Sequence, residues 1–529
     1  MLTQESDLHK NSLLHGCNQK QKNIILLFGI FLLNFIVYGV DCFQHALCGD
    51  EIKELMEVVP DIYIAQRRWG VALWRECFGY GYLPFLSVVI FCAANSLTAL
   101  IHTKLFNLSS DTGRLVYSAA YCLCPVLHHI LTFSQLTDAF SISMLSGSLA
   151  VLFVTASKSY RQYTLSIIFA IFSLSIYQIN LFYIPSLWLA WYASTVFQSQ
   201  SRSFIRESIR FCSAFIISIA IYATVATILR RSGAAAPDII QMIDQYQGNL
   251  AGEWKSILEC GSLLFILKVF LHYFIESLPH AAGITPLMGG SSTYTHIYLI
   301  TVSCCCGWVL IHSWFKFPCK KAILLNLLVL GIFYIPFSAY VLSTGRMNEF
   351  RMYLACCISS AFIITLASSF TSSNKAISRI IPILLCFFCI KAAYTHTMQQ
   401  RNRAWNFERT KLQFIEIKHH CKDIAKQNGL KEYNVYLAGD WWPIKSISLY
   451  NALEVAEAPF LTGIVQPFAV KHYAAYFGCG NIDRMEAADT PEEVKHILRT
   501  KPVWPDPDSV FIYNGDIIIK AYENPPPIN

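Results

Sequence analysis

Long apolar runs recur from residue 23 to about residue 395, and no other feature limits the possible folds so strongly. A run of roughly 20 apolar residues is long enough to cross a bilayer. Hydrocarbon offers no partner for backbone N–H and C=O groups, so runs this long and continuous fold as helices. The chain therefore reads as an α-helical polytopic membrane protein. Composition agrees: 54% of its 529 residues are hydrophobic and 14% charged, against about 25% charged in soluble proteins. The formal charge of +7 comes from basic residues clustered in short loops between spans. That pattern marks topology and excludes nucleic-acid binding as the reason for it.

Basic residues orient the spans. Residues 1–22 are polar, carry Lys10, Lys20 and Lys22, and are expected to be a cytoplasmic tail rather than a cleavable signal. Span one is expected over 23–40, followed by an external loop over 41–82. Spans two to four follow over 83–102, 115–133 and 139–157, with Lys104, Arg114, Lys158 and Arg161 on the inner side. The 33-residue apolar tract 165–197 is too long for one helix, and Asn180 and Pro185 divide it into two short spans whose turn faces outward at Tyr177–Gln178. Span seven is expected over 211–229.

The polar stretch 230–295 encloses an apolar segment, 257–278, that contains Glu259, Lys268, His272 and Glu276. These are costly at bilayer depth. Reading this segment as interfacial or re-entrant keeps the lysines of 316–321 inside, and gives about 11 transmembrane helices plus one interfacial helix. The last spans are expected over 294–315, 322–342, 353–370 and 380–395, leaving the C-terminal part outside. From about residue 397 the composition becomes that of a soluble domain. It predicts a polar helix over 401–426 ended by Asn428–Gly429, a strand over 433–437, and a helix over 491–498 capped by Thr490. A hairpin is predicted around Asn514–Gly515. The expected domains are the tail (1–22), a membrane unit (23–396) and a small external α/β unit (397–529).

The outward loops collect the residues with chemical potential. The first loop holds adjacent carboxylates, Asp50 and Glu51, then Tyr63, Arg67, Arg68 and Trp69. An ordinary salt-bridged helix is the competing reading, since Lys53, Glu54 and Glu57 fall at helical spacing. Asp138 and the Tyr177–Gln178 pair lie at span ends, where a buried polar group needs a partner. Tyr246 and Gln247 sit in the long loop after span seven, and Arg346 and Arg351 lie outside, where basic residues are disfavoured. An anionic ligand would account for that arginine pair, as would lipid headgroups. Trp441, Trp442, Tyr473, Tyr476 and Phe477 give the external unit flat faces that suit sugar rings or an aromatic core equally.

Other motifs carry little. Most of the 19 cysteines lie inside apolar runs, where they act as small hydrophobes. Only Cys42 and Cys48 are placed for a disulfide in an oxidising compartment. The adjacent pairs His128–His129 and His419–His420 lack metal-ligand spacing, and the sequence holds neither a serine-hydrolase elbow nor a phosphate-binding P-loop.

The Asp50–Glu51 pair, Arg68-Trp69-Gly70, Ser175-Ile176-Tyr177-Gln178, Tyr246-Gln247-Gly248, Arg351 and the Trp504-Pro505…Ile517-Ile518-Ile519-Lys520 ending together resemble the serotype-converting O-antigen glucosyltransferases (Gtr type). These are integral-membrane enzymes of GT-C-like fold. The family usually shows two aspartates where this chain has Asp-Glu. The resemblance implies a polyprenyl-phosphate-glucose donor and an O-antigen or other lipid-linked glycan acceptor at the periplasmic face of the bacterial inner membrane. A separate donor synthase and flippase would be pathway partners. It implies Asp50 or Glu51 as general base, and Arg67, Arg68, Arg346 and Arg351 on the donor phosphate. Tyr63, Trp69, Asp138, Tyr177, Gln178, Tyr246 and Gln247 would contact substrate, with inversion at the sugar carbon. No cofactor is expected; the acid pair has the donor set for a divalent cation, which some relatives need. Rival readings are a flippase or transporter of lipid-linked sugars, or an O-antigen polymerase or ligase. The first lacks the internal repeats common in transporters; the second usually carries a large loop between late spans instead of a terminal unit.

Overall fold

The computed structural model describes residues 19–43, 60–79, 84–131, 136–156, 159–200, 202–237, 239–241, 244, 262–285, 293–342, 353–371, 375–438, 470–480, 482–485, 490–504 and 506–520. Helices dominate. In chain order they are α1 (Gln19–Tyr38), α2 (Pro60–Ala65), α3 (Trp69–Phe78), α4 (Pro84–Leu105), α5 (Asp111–Cys122), α6 (Val126–Leu131), α7 (Thr137–Ala156), α8 (Tyr160–Ile176), α9 (Asn180–Phe197) and α10 (Phe204–Arg231). The series continues with α11 (Leu263–Ala281), α12 (Thr293–Lys316), α13 (Cys319–Tyr334), α14 (Ser338–Leu342), α15 (Cys356–Thr371) and α16 (Lys375–Gln427).

Among the described residues, seven helical stretches are long and apolar enough to cross a membrane: Lys20–Cys42, Phe85–Leu105, Thr137–Ala156, Phe204–Arg231, Thr293–Lys316, Cys319–Leu342 and Ile380–Gln427. Cys356–Phe370 is a shorter apolar helix. The other expected spans take a different form. Residues 115–133 do not make one rod: α5 stops at Cys122, Pro125 stands in the break, and the short α6 follows. The tract 165–197 divides as expected into α8 and α9, but at Tyr177–Ile179 alone. Pro185 lies within α9 without ending it. Asn180 is the first residue of α9, and its amide donates to the Ser173 carbonyl (3.0 Å) and Ser143 Oγ (3.1 Å). The interfacial candidate is seen as α11, which leaves Leu264, Leu267, Leu271 and Ile275 exposed.

Small residues explain the closest helix contacts. Ser141, Ser143, Ser146, Gly147 and Ser148 are all on α7, and a Cβ on Gly147 would lie 3.1 Å from Ser173 Oγ of α8. Such residues let backbones approach where lipid gives no hydrophobic drive to association. Some polar groups at depth find partners within the bundle. His102 bonds Tyr117 OH through Nδ1 and Ser148 Oγ through Nε2, both at 2.8 Å. On the outside of the bundle, Ile24, Phe28, Ile216 and Ile311 remain exposed, which fits a lipid-facing surface.

The last apolar run and the polar helix expected after it are one element. α16 runs 53 residues without interruption, about 80 Å at 1.5 Å per residue. It ends where expected, with Asn428 in a turn and Gly429 at φ +67°. Leu430 N–H donates back to the Ala425 carbonyl at 2.9 Å, closing the helix end. Beyond it, β1 (Val435–Ala438), α17 (Val470–Tyr476), β2 (Ile482–Met485), α18 (Glu492–Thr500), β3 (Val510–Tyr513) and β4 (Asp516–Lys520) form a sheet of order β2-β1-β4-β3 with two helices. β1 runs parallel to β2 and β4, and β3 antiparallel to β4. The hairpin forms at Asn514–Gly515, both at positive φ (50° and 86°). α18 begins one residue later than expected, with Pro491 rather than Thr490 at its N-cap position. Phe414, Ile417 and Cys421 of α16 pack with Val435, Ile482, Ile517 and Ile519 in the core of this unit.

Candidate functional site

One end of the bundle brings together pieces that are far apart in sequence. α2 ends in a reverse turn in which Arg68 N–H donates to the Tyr63 carbonyl (2.6 Å) and Arg67 N–H to the Ile64 carbonyl (2.9 Å). That closure puts Arg67 at φ +62°, a left-handed position glycine usually fills. A side chain there costs about 1–2 kcal/mol, and the chain keeps an exposed arginine on it. Tyr222 OH of α10 donates to the Arg67 carbonyl at 3.1 Å and fixes the turn from below.

α3 then lies against the break between α8 and α9. A Cβ on Gly70 would sit 2.2 Å from Ser175 Oγ and 2.9 Å from the Ser175 carbonyl carbon, so only glycine fits. This close approach docks Arg68-Trp69-Gly70 on Ser175–Gln178. Gln178 Nε2–H donates to the Gln66 carbonyl (2.9 Å), and Arg68 Nε–H reaches Gln178 Oε1 at 3.4 Å. The Arg68 guanidinium stands 5.5 Å from the centre of the Tyr177 ring, which is stacked on Phe140 at 4.4 Å. Trp69 packs with Leu174, Tyr222 and Ala226, and its buried indole N–H has no partner. Tyr63 is buried in the main apolar core.

Asp138 finds a partner that sequence reading missed. Its carboxylate takes Arg75 Nη1 (3.0 Å) and Nη2 (2.8 Å) as a fork, and Trp74 Nε1–H at 2.9 Å. Arg75 and Asp138 side chains are both 4% exposed, so the pair is removed from water. Buried pairs of this geometry are costly to break from one side, about 3–5 kcal/mol. The signal was present: a carboxylate at a span end must be paired, and Arg75 closes the first loop's second helix.

The segment after α10 joins the same end. Ala236 N–H donates to Asp61 Oδ2 (3.3 Å), Ala235 packs on Ala65, and Arg230 pairs with Asp244 (2.8 Å). Thus of the expected site residues, Tyr63, Arg67, Arg68, Trp69, Asp138, Tyr177 and Gln178 converge. Asp50, Glu51, Tyr246, Gln247, Arg346 and Arg351 lie outside the described residues, as do Trp441 and Trp442. Cys42 is a buried free thiol, and Cys48 is also outside the described residues. Among the described residues no group of three or more His, Cys, Asp or Glu side chains is placed to hold a metal ion.

Fold and site define a polytopic membrane protein with arginines and aromatic rings gathered at one end of its helices. The model of the GtrII glucosyl transferase family matches residues 42–366, well over half of the chain, and the chain belongs to that family. The match contains every expected site residue named above except the C-terminal aromatics Trp441, Trp442, Tyr473, Tyr476 and Phe477. No curated protein matches the chain.

Proposed function

We propose that this membrane glucosyltransferase moves glucose from a polyprenyl phosphate to a hydroxyl of a lipid-linked O-antigen repeat unit at the periplasmic face of the inner membrane. The observation that carries this reading is the docking of Arg67-Arg68-Trp69-Gly70 on Ser175–Gln178, inside the family-matched segment. It sets a cation against an aromatic ring at one end of the bundle.

In the proposed reaction, Asp50 or Glu51 takes the proton of the acceptor hydroxyl while that oxygen attacks the anomeric carbon. The bond from that carbon to the phosphate oxygen breaks, and the electron pair leaves with the lipid phosphate. Arg67, Arg68, Arg346 and Arg351 offset the charge on the leaving group. Tyr177, buried under the Arg68 guanidinium, and Trp69, whose indole N–H is buried, hold the turn that presents Arg67 and Arg68 to the donor. One base and attack opposite the leaving group invert the anomeric carbon.

The test is transfer by the purified full chain in detergent with polyprenyl-phosphate-glucose, and separately with a glucose nucleotide. Transfer from the lipid phosphate alone, abolished in Asp50→Asn or Glu51→Gln with the protein still folded, supports the reading. Transfer from the nucleotide, or wild-type rates in both variants, contradicts it.

A further inference from the structure

A second polar cluster lies at the same end of the bundle, and the transfer reaction as described makes no use of it. Asp41 follows α1 in a 3-10 turn (Gly39–Cys42), at the start of the loop whose sequence carries Asp50 and Glu51. His396 lies on α16, 355 positions away, and its Nε2–H donates to Asp41 Oδ1 at 2.9 Å. Both are buried, with 0% of the His396 side chain and 7% of the Asp41 side chain exposed. The bond ties the root of the first loop to the helix that continues unbroken into the C-terminal sheet unit. Asp41 immediately precedes the family-matched segment, and His396 lies beyond its end at residue 366.

The surroundings are closely packed rings. His128 of α6 meets His396 edge-on at 5.2 Å, Tyr38 at 5.2 Å and Tyr294 at 5.5 Å. Tyr38 meets His396 at 5.3 Å, and its hydroxyl donates to the Cys122 carbonyl. With rings in mutual contact, packing alone would be served as well by phenylalanine. Instead, both nitrogens of His128 and Nδ1 of His396 are buried without a hydrogen-bond partner. Such orphans reduce stability and call for a reason. Of these orphans His396 Nδ1 is the one the Asp41–His396 pair carries, and the pair fixes one register, because an apolar contact tolerates sliding and a short directed hydrogen bond does not.

We propose that Asp41 and His396 are positioning residues for the transfer reaction. They hold the root of the first loop against α16, and so set the reach of Asp50 and Glu51 to the acceptor hydroxyl. The inference rests on the first loop carrying the base, as proposed above.

The experiment measures kcat and KM for polyprenyl-phosphate-glucose with the full chain in detergent, alongside thermal melting. Asp41→Ala and His396→Ala are expected to lower kcat on the order of 10–100-fold, as misplacement of a reacting group does. KM should stay within about threefold, the sign of a loss felt in the transition state alone. The double variant should be no slower than the slower single variant, since one bond is being removed. Asp41→Asn keeps an acceptor and His396→Gln keeps a donor, so each should recover most of the rate. Additive losses, a change confined to KM, or failure of both conservative variants to exceed the alanine variants would overturn the proposal. His128→Phe adds a fold-independent check: it should melt no lower than wild type, because it removes two orphaned nitrogens. A marked drop in its midpoint would overturn the argument from orphaned groups. Asp50→Asn is the control for the underlying reading; wild-type transfer there would remove that reading and this one together, whereas an inactive Asp50→Asn beside fully active Asp41→Ala would overturn the positioning role alone.

Discussion

Two buried carboxylates at one end of this bundle are held in opposite ways. Asp138 is wrapped: an arginine fork and an indole N–H reach its oxygens, and Ala139 N–H donates to Oδ1 at 2.8 Å. Asp41 has a single imidazole partner within a knot of rings whose other nitrogens are bare. The first arrangement is what a scaffold needs, since each buried polar atom of the carboxylate is answered. The second gives up stability for a fixed register. The two carboxylates therefore differ in how many donors reach them, not in how deeply they are buried.

The largest effect that tests this contrast falls on the scaffold pair. Asp138→Ala or Arg75→Ala should each destabilise the fold by about 3–5 kcal/mol, because each leaves the other charge buried alone. Replacing both with apolar residues should recover most of the loss, and melting or denaturant series on purified protein would show it. If the single variants melt like wild type, the pair is not the scaffold described. Next in size is Gly70→Ala, whose methyl group would meet the Ser175 backbone; overpacking of this kind costs about 1–3 kcal/mol. Loss of transfer should accompany it, because the turn carrying Arg67 and Arg68 is displaced.

Smaller still is Arg68→Lys, which keeps the charge and loses the planar contact with Tyr177 and the Nε–H bond to Gln178. A fall in kcat/KM of about tenfold is expected, equivalent to about 1.4 kcal/mol, with stability little changed. An unaltered rate would place Arg68 outside the reaction. The smallest effect belongs to a surface control far from both carboxylates. Tyr513 OH donates to Glu493 Oε2 at 3.0 Å, and that bond pushes the phenol up from its ordinary value. The folded chain thus favours the neutral phenol: the contribution is present below the unfolded phenol's pKa and is lost as pH rises through the folded one. Tyr513→Phe should lower the melting midpoint slightly at neutral pH, and the difference from wild type should shrink as pH rises through the range in which the Tyr513 phenol ionises.

Much of this was legible in the chain. Apolar runs marked α1, α4, α7, α10, α12 and α13, because burial in lipid is decided locally by composition. Asn514–Gly515 marked its hairpin because positive φ is a property of those two residues. Length alone predicts the division of 165–197, but Pro185 takes no part in it, because the helix accommodates that residue. The change in composition near residue 397 suggests the start of a new helix. It marks a change of surroundings, and the backbone of α16 continues through it. Within the site, the meeting of Arg68-Trp69-Gly70 with Ser175–Gln178 was foreshadowed by both lying at span ends. Arg75 and His396 were not singled out. Each owes its role to a partner 63 or 355 positions away; the span-end position of Asp138 shows that it needs a partner, but no local pattern says which residue supplies it.

The central claim is that this chain glucosylates a lipid-linked glycan through its first loop. The most direct measurement is structural analysis of surface glycan from cells that supply polyprenyl-phosphate-glucose, with the gene present, absent, or carrying Asp50→Asn. A new glucose branch that appears with the wild-type gene and disappears with the variant is the predicted result. An unchanged sugar composition with altered chain length or surface display would contradict it, and would point to a polymerase, ligase or transporter.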